Sequence, residues 1–368
     1  MPAYLPLGFE EDRYVPILLT RQGEMLALRD LDPDVKDAMT PMFVAHPVPS
    51  VGETGRPRCT EQEHVVGLVK RLTAAWGSRP AFVDLVHLRL GAPMPDGSHP
   101  LLWLVRECAQ QGLPLAPVLS PARDADYRAA AAEVAAVTGG TLCFRLNRSE
   151  WIDLGRPRGD GPLMLLLSQT GLPPERVHLL LDCGDQVGDP AVTARAVEPV
   201  LQGLPRARDW ASVTVAGTGM PVGTSAVGAD NHALVPRTEW ALWRRLDDPV
   251  YRRPSFGDYG VQHPDPQSGF DPKIMDTSAQ LRYTVPGHWF VARGRGIKKH
   301  KLEQVRGLAA QVVALPAYAG PDFSWGDRWL SACADDDVKP GNQLVWRKVA
   351  TTHHVTFVVR QLSTVLGT

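Results

Sequence analysis

Eight short apolar, β-branched runs recur along this chain, and most gaps between them read as helices. The runs occupy 14–20, 42–47, 81–88, 115–120, 142–147, 178–182, 212–216 and, more weakly, 259–263. Most are near-continuously hydrophobic, which suits parallel strands buried on both faces. Segments 61–76, 101–111, 124–137, 162–170 and 190–201 carry helical patterns; in the first, Val65, Val66, Leu68, Val69 and Leu72 stand opposite charged residues. Asp124 is placed to cap the alanine-rich segment, and Gly139-Gly140 to stop it. Eight strands alternating with helices predict an α/β protein with a TIM-like (β/α)8 barrel. An open doubly wound sheet is the alternative, because strand count does not fix strand order.

The alternation stops after Pro264. Residues 264–272 read as a linker or loop. Runs 281–285 and 289–293, joined by Pro286-Gly287-His288, predict a hairpin. Segments 301–313 and 325–334 look helical, as does the end of the chain, with apolar residues at 355, 358, 362 and 365. The expected organisation is a barrel over 1–264 and a hairpin-plus-helices elaboration over 265–368 that packs on it and is not independent. Residues 217–231, rich in Gly, Ser and Thr, read as a long loop after the seventh strand.

Composition removes several function classes. The 33 glycines and 33 prolines imply many turns, while 44% hydrophobic residues supply a sizeable core. With 39 Lys+Arg against 40 Asp+Glu, net charge is −1, which argues against a general nucleic-acid coat or a polybasic membrane binder. No apolar run reaches the roughly 18 residues of a membrane helix. Residues 1–14 lack the pattern of a secretory signal. The five scattered cysteines, with no CxxC pair, suit a reducing environment. The expected location is cytoplasmic.

In a barrel, chemistry sits where strands end at the C-terminal face. Polar residues interrupting the runs there are His46, Asp84, His87, Ser120, Arg145, Asn147, Asp182, Asp258 and His263. Asp182 follows Leu179-Leu180-Leu181, so its carboxylate must be paired, protonated, metal-bound or at the rim. Arg145, between Phe144 and Leu146, poses the same problem with opposite charge. An Asp182–Arg145 pair on neighbouring strands is the simplest solution, and a ligand-binding role is the alternative. A metal would need Asp84, Asp182, Asp258 and His263 to converge, and their spacing matches no local metal motif. No GxSxG elbow, P-loop or GxGxxG turn is present. Gly217-Thr218-Gly219 is either an ordinary tight turn or a phosphate-approaching one.

Two basic stretches add candidates. In 346–354, Thr352 is placed to cap a final helix, with His353 and His354 in its first turn and the Arg347 fork nearby. The plainer alternative is that one histidine packs and the other is solvated. Arg293, Arg295, Lys298, Lys299, His300 and Lys301 form a local basic run, either a solvated face or a nucleic-acid contact.

Several motifs together resemble the beta family proteins, named after a phage beta protein and widespread in bacteria and their mobile elements. They are Tyr14-Val15-Pro16-Ile17-Leu18 with Gly23-Glu24 and Ala27-Leu28; Phe256-Gly257-Asp258-Tyr259-Gly260 with His263-Pro264; Ser278-Ala279, Leu281-Arg282-Tyr283-Thr284 and Arg293-Gly294; and Ser324-Trp325-Gly326-Asp327, Gly341-Asn342, Trp346-Arg347 and His353-His354. The resemblance spans nearly the whole chain. The family's usual lysine near Thr20 and acidic residue after Phe43 are absent, which weighs against catalysis at those places. The resemblance implies a part in phage–host conflict and implies no particular mechanism.

Two functions follow as expectations. The first is a binding or effector subunit of anti-phage defence that recognises an anionic small molecule or a protein partner at the barrel mouth. The second is a phosphoester or nucleotide hydrolase using strand-end carboxylates and an Arg/His cluster; the missing catalytic signatures favour the first. The candidate ligand-binding residues are Arg145, Asp182, Asp258, Arg282, Arg347, His353 and His354. Asp258, Arg282, Arg347 and one of the two histidines are expected to line one cleft. Nucleic-acid contact would run through Arg293, Arg295, Lys298 and Lys299. No metal ligand is assigned, the sequence names no cofactor, and no membrane contact is expected.

Overall fold

From its N-terminus the chain runs through β1 (Val15–Leu19), α1 (Gln22–Arg29), α2 (Pro33–Asp37) and β2 (Met42–Val44). A small hairpin, β3 (Ser50–Val51) with β4 (Arg56–Pro57), precedes α3 (Glu61–Trp76) and β5 (Ala81–Asp84). Then come α4 (Pro100–Gln110), β6 (Leu115–Leu119), α5 (Ala125–Val137), β7 (Leu142–Asn147), α6 (Pro162–Thr170) and β8 (Val177–Asp182). Next are α7 (Pro190–Gln202), β9 (Ser212–Gly217), β10 (Asn231–Pro236), α8 (Thr238–Arg245) and β11 (Ser255–Asp258). The last part holds β12 (Ser278–Val285), β13 (His288–Gly296), α9 (Ile297–His300), α10 (Gln304–Val313), α11 (Trp325–Ala334) and α12 (Gln343–Leu366). This computed structural model describes residues 13–51, 56–137, 140–151, 154, 161–246, 253–265 and 276–367. Residues 1–12, Gly139 and most of the expected linker at 264–272 lie outside them.

Eight strands close into a parallel barrel in the order β1-β11-β9-β8-β7-β6-β5-β2. Closure comes at β1, where Ile17 registers with Met42 and Val15 with Gly257. The open sheet is thereby excluded. Alternation along each strand explains the continuous apolar runs. Val15, Ile17 and Leu19 join Phe82, Cys143 and Leu180 in the barrel interior, while Leu18, Phe43, Phe144 and Leu179 pack in the outer core with the helices. Helix α3 shows how the sequence sets a boundary. Thr60 Oγ1 accepts the Glu63 N–H at 3.1 Å, and a Glu63 carboxylate oxygen accepts the Thr60 N–H at 2.8 Å. This capping box fixes the start of a helix that buries Val65, Leu68, Val69, Leu72 and Trp76. Asp124 accepts the Tyr127 N–H at 2.8 Å at the start of α5.

Two sequence expectations are corrected. The eighth barrel strand is Ser255–Asp258, not 259–263. Its interior Gly257 breaks the apolar run, and a Cβ there would lie 2.8 Å from that of Ala216 and 3.0 Å from the Val15 carbonyl oxygen. The final helix does not begin at Thr352. It begins after Asn342, whose side-chain oxygen accepts the Leu344 and Val345 N–H groups at 3.0 and 3.2 Å. Thr352 sits mid-helix because its hydroxyl bonds back to the Lys348 carbonyl at 2.7 Å, an alternative to capping open to threonine.

The hairpin forms as β12 and β13, and β10 adds to it in the order β10-β13-β12. That edge strand lies just beyond the expected loop 217–231 and is mostly solvent-facing, so it carries little apolar signal. Helix α12 joins the two halves. Trp346 and Val349 enter the core beneath the small sheet, whereas Val355, Val358, Val359 and Leu362 enter the core around the barrel.

Candidate mouth site

Strand ends bring four polar side chains to the C-terminal end of the barrel interior. Asp84, Arg145 and Asp182 share the inward parity of Phe82, Cys143 and Leu180, and Tyr259 follows β11. Arg145 donates through Nε to Asp182 Oδ2 at 2.8 Å, through Nη1 to Asp84 Oδ2 at 2.9 Å and through Nη2 to the Tyr259 hydroxyl at 2.7 Å. Tyr259 in turn donates to Asp182 Oδ2 at 2.6 Å. Arg123, from the loop after β6, pairs with the other Asp84 oxygen, while Asp182 Oδ1 accepts the Gly184 N–H at 2.8 Å. Burial opposes the charge on Arg145, but Tyr259, Asp182 and Asp84 outweigh it and hold its pKa well above the ordinary value. Two carboxylates and two guanidiniums thus balance each other's charge across the barrel, with the Arg123 Nε left buried without a hydrogen-bond partner.

The expected common cleft splits into separate groups. Asp258 has the parity of Phe256 and faces outward, away from the barrel interior. It accepts from Tyr14 Oη at 2.5 Å and from His354 Nε2 at 2.9 Å. Burial pushes His354 down, so its neutral ring donates from Nε2, and Nδ1 accepts from Thr284 Oγ1 at 2.8 Å. His353 turns the other way. Its Nδ1 meets Asp327 Oδ2 at 3.0 Å and its Nε2 meets the Thr284 carbonyl at 2.8 Å. The carbonyl only accepts, so Nε2 donates to it, and Nδ1 ties the ring to Asp327. Neither histidine is exposed at all. They bolt α12 to β11 and β12, and the expected first-turn anion site at these residues is absent.

Arg282 and Arg347 are half-buried. Arg282 Nη1 donates to the Val261 carbonyl, just past the end of β11. Burial pulls its pKa down to about 10, helped by the neighbouring guanidiniums of Arg347 and Arg21. Arg21 lies two residues past the end of β1, so the three gather at the β1–β11 side of the mouth. Glu24 on α1 is the buried carboxylate facing them. Burial raises it to about 7, against the pull of Arg347 and Arg21. Glu24 Oε2 and Arg347 Nε are both buried without a hydrogen-bond partner. Gly23 permits this approach of α1 to α12: a Cβ there would lie 2.9 Å from the Leu344 carbonyl oxygen and 3.1 Å from Arg347 Cβ.

The remaining candidates are structural ties. The turn at 217–219 gives its Thr218 N–H to the Gly184 carbonyl at 2.8 Å and its Gly219 N–H to Glu239 at 2.9 Å, leaving neither for a phosphate. In the basic run, Arg293 donates to the Val227 carbonyl at 2.5 Å and Arg295 pairs with Asp230, so these two hold loops while Lys298 and Lys299 stay exposed. The sequence reading missed Arg21, Glu24 and Arg123. The strand-end rule reaches Arg21, one residue past the β1 run. Glu24 appeared in the sequence only within the Gly23-Glu24 family motif, and one of the two arginines acting on it, Arg347, lies at the other end of the chain.

Among the described residues, no helix is long and apolar enough to cross a membrane. In structural comparison the chain is similar to a mutant tryptophan synthase alpha-subunit from the hyperthermophile Pyrococcus furiosus. The two are 11% identical with a TM-score of 0.37, over 69% of this chain and 89% of that one. A comparison with curated proteins returned no match. The sequence profile of the Beta protein family matches residues 14–360, and the chain therefore belongs to that family.

Proposed function

We propose that this barrel is an anion-binding protein whose receptor is the Arg21–Arg282–Arg347 group at the mouth. The observation that carries the reading is the buried Nε of Arg347, which has no hydrogen-bond partner, beside Arg21 and Arg282, whose charged forms are disfavoured by burial and by the neighbouring guanidiniums. A buried donor left unmade costs about 1–3 kcal/mol, and an arriving oxyanion would remove that cost. The group suits the anionic small molecule, or acidic surface of a protein partner, expected of a binding or effector subunit. Membership of a family found in phages and mobile elements supports placing that subunit in phage–host conflict. Hydrolysis finds less support, because the Asp258–His354–Thr284 chain, with the residue types of a proton relay, is sealed from solvent. Calorimetric titration with sulfate tests the reading. Arg347→Ala should weaken binding by about 1.5–3 kcal/mol, the range for hydrogen bonds to charged groups. Equal affinity in the two proteins, or no binding to either, would reject it.

A further inference from the structure

Beside the mouth, a groove of about 680 Å³ runs between α1 and α3. That volume is within the range of sites for nucleotide-sized ligands. Five cations line it: Arg21, Arg29, Arg58, Lys70 and Arg71. Among the described lining residues there is no Asp or Glu. Arg58, Lys70 and Arg71 make no ion pair with a described residue, and the Arg71 Nε is buried without a hydrogen-bond partner. Met25, Leu26, Ala74 and Ala75 supply apolar wall. Two histidines complete it. His46 Nδ1 lies 2.8 Å from the Pro47 carbonyl and His64 Nε2 lies 2.8 Å from the His46 carbonyl. A carbonyl only accepts, so each of these nitrogens carries the proton. Burial pushes both rings down, His46 to about 4. At neutral pH each ring therefore keeps its second nitrogen as an acceptor.

Forked cations without carboxylates select a phosphate. Neutral acceptors select hydroxyl or amino donors, and the apolar wall selects an organic body. We propose that the α1–α3 groove is a second ligand site that takes an organic phosphate of nucleotide size, its phosphate on Arg58, Lys70 and Arg71. This does not rest on the mouth reading, although Arg21 stands between the two sites.

Cys59 lies in the groove and is half-buried, whereas Cys108, Cys143, Cys183 and Cys333 are buried, so its alkylation by iodoacetamide reports on the groove alone. ADP or ribose 5-phosphate should slow that alkylation at least tenfold, ADP marking a nucleotide site and ribose 5-phosphate a sugar-phosphate site. Adenosine, which lacks phosphate, should not. Arg58 and Lys70 are exposed, so the Arg58→Glu/Lys70→Glu protein should fold and lose the protection, and Arg347→Ala should keep it. The proposal is overturned if neither compound protects, if protection survives in the double variant, or if pyrophosphate protects as well as either compound. Loss of protection in Arg347→Ala would also overturn it, because the ligand would then belong to the mouth.

Discussion

Arg145 and Arg282 are both arginines set into the C-terminal side of the barrel, and they live in opposite company. Arg145 meets two carboxylates and a phenol, and its charge is held firmly. Arg282 meets one backbone carbonyl and two other guanidiniums, and its pKa falls to about 10 through burial and that repulsion. The comparison teaches that buried charge has two uses. Where the partners are built in, the charge fixes the barrel. Where they are missing, as at Arg282, we propose that an anion from outside supplies them.

The largest expected effect breaks the satisfied side. Asp182→Ala strips one carboxylate from Arg145 and leaves buried positive charge, so stability measured by urea unfolding should fall by about 3–5 kcal/mol. An unchanged midpoint would show that the network is not structural. The opposite side should respond with the opposite sign. Arg282→Met keeps the apolar stem and removes a charge that folding disfavours, so it should raise stability by on the order of 1 kcal/mol. A loss of several kcal/mol would mean that Arg282 has a compensating partner and is not a receptor group.

Acidity sharpens the same contrast. The Glu24 carboxyl is raised to about 7, mainly by burial. Below pH 7 it is protonated and neutral, and the arginines act at full charge; above pH 7 it ionises and competes with an incoming anion. Sulfate keeps its charge across this window, so its affinity should fall by roughly 1 kcal/mol between pH 6 and pH 8, the size of one near-surface charge interaction. Glu24→Gln should flatten the profile. A flat profile in the unaltered protein would remove Glu24 from the site.

The barrel was legible because buried parallel strands leave a mark that needs no partner: continuous apolar runs with helices between. Arg145 and Asp182 were legible for the same reason, as charges embedded in such runs on adjacent strands. The eighth strand was displaced because close packing on Ala216 requires Gly257, and glycine weakens the strand signal. The start of α12 was hidden because Thr352 has the residue type of a cap, and only the neighbouring carbonyl of Lys348 decides its role. The single cleft expected for Asp258, Arg282, Arg347 and a histidine failed on parity: Asp258 shares the outward face of β11 with Phe256. The approach of Glu24 to Arg347 was illegible, since it depends on α1 meeting α12 in the closed fold.

The central claim is that an oxyanion completes Arg282 and Arg347. A crystal grown in selenate and measured at the selenium edge tests it most directly. The account predicts an anomalous peak within hydrogen-bonding reach of both guanidiniums, and none beside Arg145 and Asp182, whose bonds are already made. Selenate bound elsewhere on the protein with no peak at Arg282 and Arg347 would contradict it.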